Sequence, residues 1–422
     1  MRRPTRESIE GLRPISRSLT LDLISAIGYG VSGALVSTLL PTIARRGGLE
    51  PLGLAALSAA PFLTNLLSVF AGRFGPTSTR QFALLRGIGA GSLVALLFVP
   101  GAPVIVAVAF IFWISISFSS PFQLRFWGVT YPGRMRGRVI GFLGTGRAAA
   151  AGIAALAGGI IADQLGGPTA VALAGIVGAG CALAYAGFRA SAAAAPLAYS
   201  ARESIRAMRE RPMLRRVALA QGFFGGGFIA AGPLFALVYV DRLDLSLADV
   251  GVIGVIGAAA TTLSFLVWGT VADRYDGLAA MRWGSIIGLV GLLAYAVAPA
   301  YAVLLPAALA IGVSNSSIEI GVSGVISDHT PLASRAAAMS GWNAITGARG
   351  LVAPFFMSAL VQFGVVSLTA GLLICASASA LGVTLFWWAA GRARWDAARA
   401  EPARVVPSAT EPPGPGAVDA TG

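Results

Sequence analysis

Charged side chains are scarce in this chain, in which Asp, Glu, Lys and Arg together make up 12% of 422 residues. A soluble globular protein carries about 25% charged residues, so the composition excludes an ordinary water-soluble domain. Lysine is absent, and all 31 basic residues are therefore arginines. Hydrophobic residues make up 56% of the chain and the mean hydropathy is +0.77, values typical of a membrane protein.

Residues that bind metals or act as nucleophiles are also few. His329 is the single histidine, and Cys181 and Cys375 both fall within apolar stretches, where a cysteine is usually a packing residue. The sequence contains no metal-ligand cluster, no nucleophile motif and no nucleotide-binding loop of the P-loop type. We therefore expect no metal site, no cofactor and no enzymatic activity.

Long apolar stretches dominate the chain. Twelve of them, in two groups of six, have the length of about 20 residues that a helix needs to cross the hydrocarbon core of a bilayer. Twelve such stretches in series cannot be packed in water, so the sequence predicts an all-α membrane protein with twelve transmembrane helices. The predicted spans are 18–41, 51–72, 82–100, 103–129, 138–163, 168–188, 216–240, 247–271, 279–299, 301–326, 337–363 and 366–390.

The arginines predict the orientation of these spans. With the N-terminus placed in the cytoplasm, 25 arginines lie on the inner side, among them Arg86 and Arg282, which are assigned to loops. Three lie outside (Arg45, Arg46 and Arg242) and three within spans (Arg125, Arg147 and Arg349). This is the positive-inside bias. The net charge of +13 is thus explained by topology, and we expect no nucleic-acid partner.

The same pattern divides the chain into five segments. A basic cytoplasmic leader (1–17) precedes an N-terminal six-helix bundle (18–188), and a cytoplasmic, arginine-rich loop (189–215) connects it to a C-terminal bundle (216–390). The tail (391–422) turns to Pro, Ala, Glu and Gly and has too little apolar surface to fold, so we expect it to be disordered and cytoplasmic. The leader lacks the short apolar core and cleavage site of a signal peptide.

The two bundles share landmarks at a nearly constant offset, which indicates duplication of a six-helix unit. Each bundle also carries Pro-x-x-x-Arg just before its fifth span. The paired positions are Gly72 and Gly269, and Gly87 and Gly284, both 197 residues apart, and Pro132 and Pro331, and Arg136 and Arg335, both 199 apart. We therefore predict two pseudo-symmetric bundles.

Two loop motifs resemble those of the major facilitator superfamily (MFS). Residues 269–282, GTVADRYDGLAAMR, keep Gly269, Asp273 and Arg274 of that family's G-x-x-x-D-R-x-G-R-R motif, and residues 131–141, YPGRMRGRVIG, are similar to its loop before helix 5. In the first copy of the motif, Pro76 stands where the family has Asp. The resemblance covers nearly the full length and implies the twelve-helix MFS fold and a secondary transporter, with substrate bound between bundles that rock to alternate access.

The resemblance also implies a gate on the cytoplasmic side. Asp273 lies at a helix end, where a carboxylate can cap a helix or pair with an arginine. The alternative is a solvated loop charge of little energetic value. Arg125, near the inner end of the fourth span, is either part of this gate or a topological anchor. The gating candidates are Gly269, Asp273, Arg274, Arg134, Arg136, Arg138 and Arg125.

Charges inside the membrane are the main candidates for substrate or proton binding, since each costs about 2.5 to 3.5 kcal/mol to insert. Glu319 and Asn315 share one helix face, as do Arg349 and Thr346. A static Glu319–Arg349 pair is the structural alternative, and Asp22 is a further candidate proton relay. The full set is Glu319, Arg349, Arg147, Asn315, Asn343, Thr346, Gln221 and Tyr29.

The favoured function is proton-coupled efflux of small organic molecules by a monomeric, multi-pass antiporter of the cell inner membrane, since efflux is common among bacterial members of the resembled family. Uptake or exchange of an organic anion is an alternative, because two deep arginines outnumber the one deep glutamate. A non-transporting membrane scaffold or sensor is an alternative of another class. Partners are then a small-molecule substrate, protons and the lipid bilayer.

Overall fold

The computed structural model describes residues 13–67, 75–99, 101–131, 133–187, 201–331 and 334–400. Within these ranges the chain consists of helices joined by short turns, and no strand occurs. Ten of the described helices are long and apolar enough to cross a membrane. The predicted all-α membrane fold is confirmed.

The first bundle contains six membrane helices, which we label α1 to α6. Helix α1 comprises Arg13–Ala34, a π-helical turn at Leu35–Leu39 and a final segment, Leu40–Arg46. Helices α3 and α6 each end in a 3₁₀ turn, at Ser92–Leu97 and Leu183–Gly187. The helices after α1 are α2 (Pro51–Leu67), α3 (Thr79–Gly91), α4 (Ala102–Thr130), α5 (Gly133–Leu165) and α6 (Gly167–Ala182).

The second bundle repeats this arrangement. Its first helix, α7, ends in a π-helical turn at Val238–Arg242, like the turn in α1. The last helix runs to Ala400, past the predicted span end at residue 390. The helices are α7 (Pro212–Leu237), α8 (Leu247–Arg274), α9 (Gly277–Val297), α10 (Tyr301–His329), α11 (Arg335–Gln362) and α12 (Leu368–Ala400).

A short amphipathic helix, Ala201–Arg209, lies within the predicted central loop. Its apolar face, which includes Ala207 and Met208, is buried and packs on α11. Arg202, Arg206 and Arg209 are exposed, and Arg206 pairs with Glu210 at 2.6 Å. We call this element the linker helix.

Helix pairing within and between the bundles sets the shape of the molecule. Within bundles, α1 packs on α5 and α9 on α10, whereas α5 packs on α8 and α2 on α11 across the boundary. Small residues allow the close approach of α5 and α8, because a side chain at Gly159 would collide with the backbone of Leu247, and one at Gly251 with the backbone of Ala155. The two bundles are therefore in direct contact along α5 and α8.

We call the side at which α1 begins and α12 ends the inner face, and the opposite side the outer face. Polar contacts between the bundles lie at the outer face, where α1 and α7 end and α2 and α8 begin. These contacts between the bundles close the outer face.

Candidate functional site

A cavity of about 1250 Å³ lies between the two bundles. Helices α1, α4 and α5 line it on one side, and helices α7 to α10 on the other. At its inner end Phe142 and Leu266 line it and are largely exposed, whereas the outer end is closed by the contact of α5 with α8. Most lining residues are small, aliphatic or aromatic, including Tyr29, Trp113 and Phe235.

Arg147 supplies a positive charge to the cavity wall from α5. Its side chain is exposed in the cavity, and its Cζ atom lies 5.6 Å from the centre of the Tyr29 ring. A second guanidinium, that of Arg86 on α3, lies 5.1 Å from the same ring centre. Tyr29 therefore contacts two cations, an arrangement that the negative face of an aromatic ring favours.

Glu319 supplies the negative charge from α10, in the opposite bundle. Glu319 and Asn315 are both exposed and line the cavity from one helix face. The Glu319 carboxylate makes no hydrogen bond or ion pair with any described side chain. It is consequently available to a proton or to a cationic group of a ligand.

Arg349 lies outside the cavity lining and does not pair with Glu319 in this conformation. Its guanidinium donates a hydrogen bond to the backbone carbonyl of Gln221 on α7 and lies 2.8 Å from the position that a Cβ atom on Gly225 would occupy. Gln221 is buried, and Thr346 and Asn343 are also absent from the cavity lining. Four of the eight predicted binding residues thus share the cavity wall: Tyr29, Arg147, Asn315 and Glu319.

The outer face is held closed by charged contacts between the bundles that the sequence did not reveal. Arg45 at the end of α1 contacts Asp241 at the end of α7, with 3.0 Å between Nε and Oδ2. Arg46 lies 3.6 Å from Asp163 of α5 and donates to the backbone carbonyl of Leu245. These residues lie in loops or at helix ends, where a sequence gives no sign of which charges meet.

Asp163 and Gln362 each cap a helix of the other bundle. The Asp163 carboxylate accepts hydrogen bonds from the backbone amides of Leu247 and Ala248, at 2.9 and 2.8 Å, at the start of α8. Gln362, the last residue of α11, accepts from the amide of Leu52 at 2.9 Å and donates to Glu50 at 2.6 Å. Both contacts satisfy amides at a helix N-terminus that have no partner within the helix.

The structure describes part of the predicted inner gate. Asp273 and Arg274, at the end of α8, are exposed and form no ion pair with described side chains. A Cβ atom added at Gly269 would lie in open space. The side chains of Arg125, Arg134, Arg136 and Arg138 lie outside the described residues.

A buried polar network in the first bundle joins Asp22 to Arg86. Asp22 accepts hydrogen bonds from the hydroxyls of Tyr131 and Tyr185 and, at 3.2 Å, from the indole of Trp127. Tyr185 in turn accepts from Gln123 at 3.3 Å, and Gln123 accepts from Arg86 at 3.0 Å. Both charges are buried, and neutral side chains connect them.

The assignment of Arg86 and Arg282 to loops was wrong, because they lie within α3 and α9 and are 6% and 9% exposed. Arg86 also donates to Ser119 at 2.7 Å, and the Arg282 guanidinium lies over the Trp387 ring. Their positions inside the predicted spans 82–100 and 279–299 were the signal that could have identified them as buried charges.

Comparison with known proteins agrees with this architecture. The family model of the Major Facilitator Superfamily matches residues 23–318 and 217–414. A comparison with curated proteins gives no match.

Three solved structures illustrate the shared fold. The nucleoside transporter NupG is 13% identical, with a TM-score of 0.70 over 88% of this chain and 98% of that one. A bacterial homologue of the human lysosomal transporter Spinster, inward-facing and occupied, is 15% identical, with a TM-score of 0.65 over 89% and 97%. The POT family transporter PepTSo is 11% identical, with a TM-score of 0.70 over 94% and 99%.

The matched segments span both bundles, and the inner-face cavity lies at their boundary, where transporters built from repeats bind substrate. The scaffold and sensor alternative has no comparable support. The chain belongs to the major facilitator superfamily of membrane transporters, with no subfamily assigned.

Proposed function

We propose that this protein is a proton-coupled transporter that exports small organic molecules by alternating access. The observation that carries the proposal is the carboxylate of Glu319, which lines the cavity between the bundles and has no ion pair with any described residue. A carboxyl group inside a membrane protein is costly and marks proton or ion pathways. Glu319 is our candidate proton carrier.

Alternating access requires that the outer contacts separate while the inner face closes. The outer contacts are polar and few, and they concentrate at helix ends. Inner closure in our proposal brings Asp273 to the arginines before α5, Arg134, Arg136 and Arg138. Exchange of one set of charged contacts for another keeps the two conformations close in free energy, as a transport cycle demands.

The direction of transport rests on helix α5. Its run Ala154-Ala155-x-x-Gly158-Gly159 resembles in its two glycines the G-P-x-x-G-G motif of superfamily antiporters. A side chain at Gly159 would collide with α8 of the other bundle, so this run lies at the contact that must separate. The resemblance supports export in exchange for protons, with the arginine-rich inner face in the cytoplasm.

Uptake or exchange of an organic anion is the second candidate. Arg147 favours it, because its guanidinium is exposed in the cavity without an acidic partner among the described residues. The position of Arg349 outside the cavity lining argues against this candidate, because the lining then holds one arginine and one glutamate. We propose that the protein acts as a monomer, because each chain holds a complete cavity.

Transport in proteoliposomes tests the proposal. Purified protein is first screened by thermal shift against cationic, anionic, zwitterionic and neutral compounds, since a ligand stabilises the folded state that binds it. Compounds that bind are then loaded into vesicles that contain a pH-sensitive dye, and an inward proton gradient is imposed. Gradient-driven efflux with matching proton uptake supports the proposal. Flux that does not depend on the proton gradient would contradict proton coupling. Absence of flux for every compound that binds would contradict a transport function.

A further inference from the structure

The charges on the cavity wall balance. Of the described residues that line the cavity, Arg147 is the one basic residue and Glu319 is the one acidic residue. Arginine stays protonated even when it is buried, so Arg147 is a fixed positive charge. The wall therefore presents one positive and one ionisable negative group.

These two groups lie on opposite bundles and do not neutralise each other. Arg147 is on α5 and Glu319 on α10, and no ion pair within 4.0 Å joins them. Arg349, which would have added a second positive charge, is hydrogen-bonded to the backbone of α7 outside the cavity lining. An unpaired charge facing a largely apolar cavity is costly unless a ligand or water satisfies it.

The wall around these groups favours an apolar or aromatic ligand body. Seven aromatic side chains contribute to it, and the polar groups there include amide and hydroxyl groups. The Arg147 end carries the Tyr29 ring, and the Glu319 end carries Asn315, whose amide is one turn away on the same face. The aromatic residues are Tyr29, Trp113, Phe142, Phe235, Tyr239, Phe265 and Tyr295.

We infer that the substrate is a zwitterion, with a carboxylate bound by Arg147, an ammonium group bound by Glu319 and an apolar body between them. The planar guanidinium suits a carboxylate, which it can bind through two parallel hydrogen bonds. This inference rests on the proposed transport function and specifies its substrate class. Glu319 binds an ammonium group only when it is ionised, so substrate and proton exclude each other there, as exchange requires.

A series of ω-amino carboxylates with increasing numbers of methylene groups tests the charge separation directly. Each member is compared with the alkylamine and the alkyl carboxylate of the same carbon number, and apparent Kd values are measured on the full chain by thermal-shift titration. We expect one narrow range of chain lengths to bind, with each single-charge analogue at least about tenfold weaker, because a charge-assisted hydrogen bond is lost. Equal binding of a single-charge analogue, or no binding at any length, would overturn the inference.

Two variants assign each charge to its end of the ligand. Arg147→Gln should weaken binding of the zwitterion about tenfold or more and leave binding of the alkylamine unchanged. Glu319→Gln should weaken binding of the zwitterion to a similar extent and leave binding of the alkyl carboxylate unchanged. Arg147→Lys retains the charge and should lose less affinity, which guards against a folding defect in Arg147→Gln. Unchanged zwitterion affinity in both glutamine variants would contradict the assignment.

The flux assay separates this inference from the function on which it rests. Proton-coupled flux of a different compound, with no ω-amino carboxylate bound, would overturn the zwitterion inference and leave the transporter function standing. Binding of the zwitterion without flux would contradict the proposed function instead.

Discussion

The carboxylate of Asp163 accepts a hydrogen bond of 2.9 Å from the backbone amide of Leu247, across the boundary between the two bundles. Leu247 is the first residue of α8, so a side chain of one bundle caps a helix of the other. The positive end of the α8 dipole and the nearby Arg46 both favour a negative charge at this position. Outer closure thus depends on a helix terminus as well as on ion pairs.

Asp163→Ala should shift the molecule toward an outward-open conformation. Loss of a cap costs about 1 kcal/mol, which corresponds to about a fivefold change in the ratio of closed to open outer faces. Spin labels on cysteines introduced at Leu165 and Val365, which are exposed near the outer face on opposite bundles, report the change as a longer distance component. Asp249→Ala is the matched control, because Asp249 caps α8 within its own bundle and its loss should lower stability without lengthening the distance.

Glu319→Gln should abolish gradient-driven transport and still permit exchange of substrate for substrate, when the substrate can bind without an ionised Glu319. The amide keeps the size of the side chain but cannot take up or release a proton. Counterflow and proton-driven efflux are measured on the same vesicles, with Glu210→Gln on the exposed end of the linker helix as the control. Full gradient-driven accumulation by Glu319→Gln would rule out this residue as the proton carrier.

Arg147→Lys and Arg349→Lys should differ in what they damage. Arg147 faces the cavity, so its replacement should lower substrate affinity, since lysine cannot copy a two-bond contact to a carboxylate. Arg349 joins α11 to the backbone of α7, so its replacement should lower the Tm and leave affinity nearly unchanged. Ligand titration and thermal unfolding of both variants measure this, and a sharp affinity loss in Arg349→Lys alone would reverse the assignment.

Asp22→Asn and Arg86→Gln should each lower the unfolding free energy by about 1 to 3 kcal/mol, because each leaves buried partners unsatisfied. The double variant should lose less than the sum of the two losses, since neutralising both ends removes both buried charges. SDS-induced unfolding of the four proteins completes the cycle. Strict additivity would show that Tyr185 and Gln123 do not couple the two charges.

Asp273→Asn should raise the population that is open at the inner face, if Asp273 pairs with Arg134, Arg136 or Arg138 when that face closes. Reaction of a cysteine placed at Phe142, in the inner end of the cavity, measures this population. Asp276→Asn is the control, since Asp276 caps the start of α9 within its own bundle. Unchanged labelling together with normal transport would show that Asp273 is a solvated loop residue with no role in the gate.

Much of the fold was predictable, because a membrane-spanning helix requires a long apolar stretch and because arginines are concentrated in the cytoplasmic loops. The sequence could also predict which side chains line the cavity, since a polar side chain in an apolar span must face protein or water. These residues are Tyr29, Arg147, Asn315 and Glu319. Arg349 shows the limit of that argument, because a backbone carbonyl on a neighbouring helix satisfies it equally well. The contact of Asp163 with α8 joins residues 84 positions apart and exists only once the two bundles meet.

Arg86 makes α3 a poor candidate for entering a bilayer by itself. An arginine at the centre of an inserting helix costs about 2.5 to 3.5 kcal/mol, and the described segment Thr79–Gly91 is not among the helices that are apolar enough to span. The groups that satisfy its guanidinium, Ser119 and Gln123, are on α4 and are synthesised later. We therefore expect α3 to enter the bilayer together with α4, as a helical hairpin, during biogenesis.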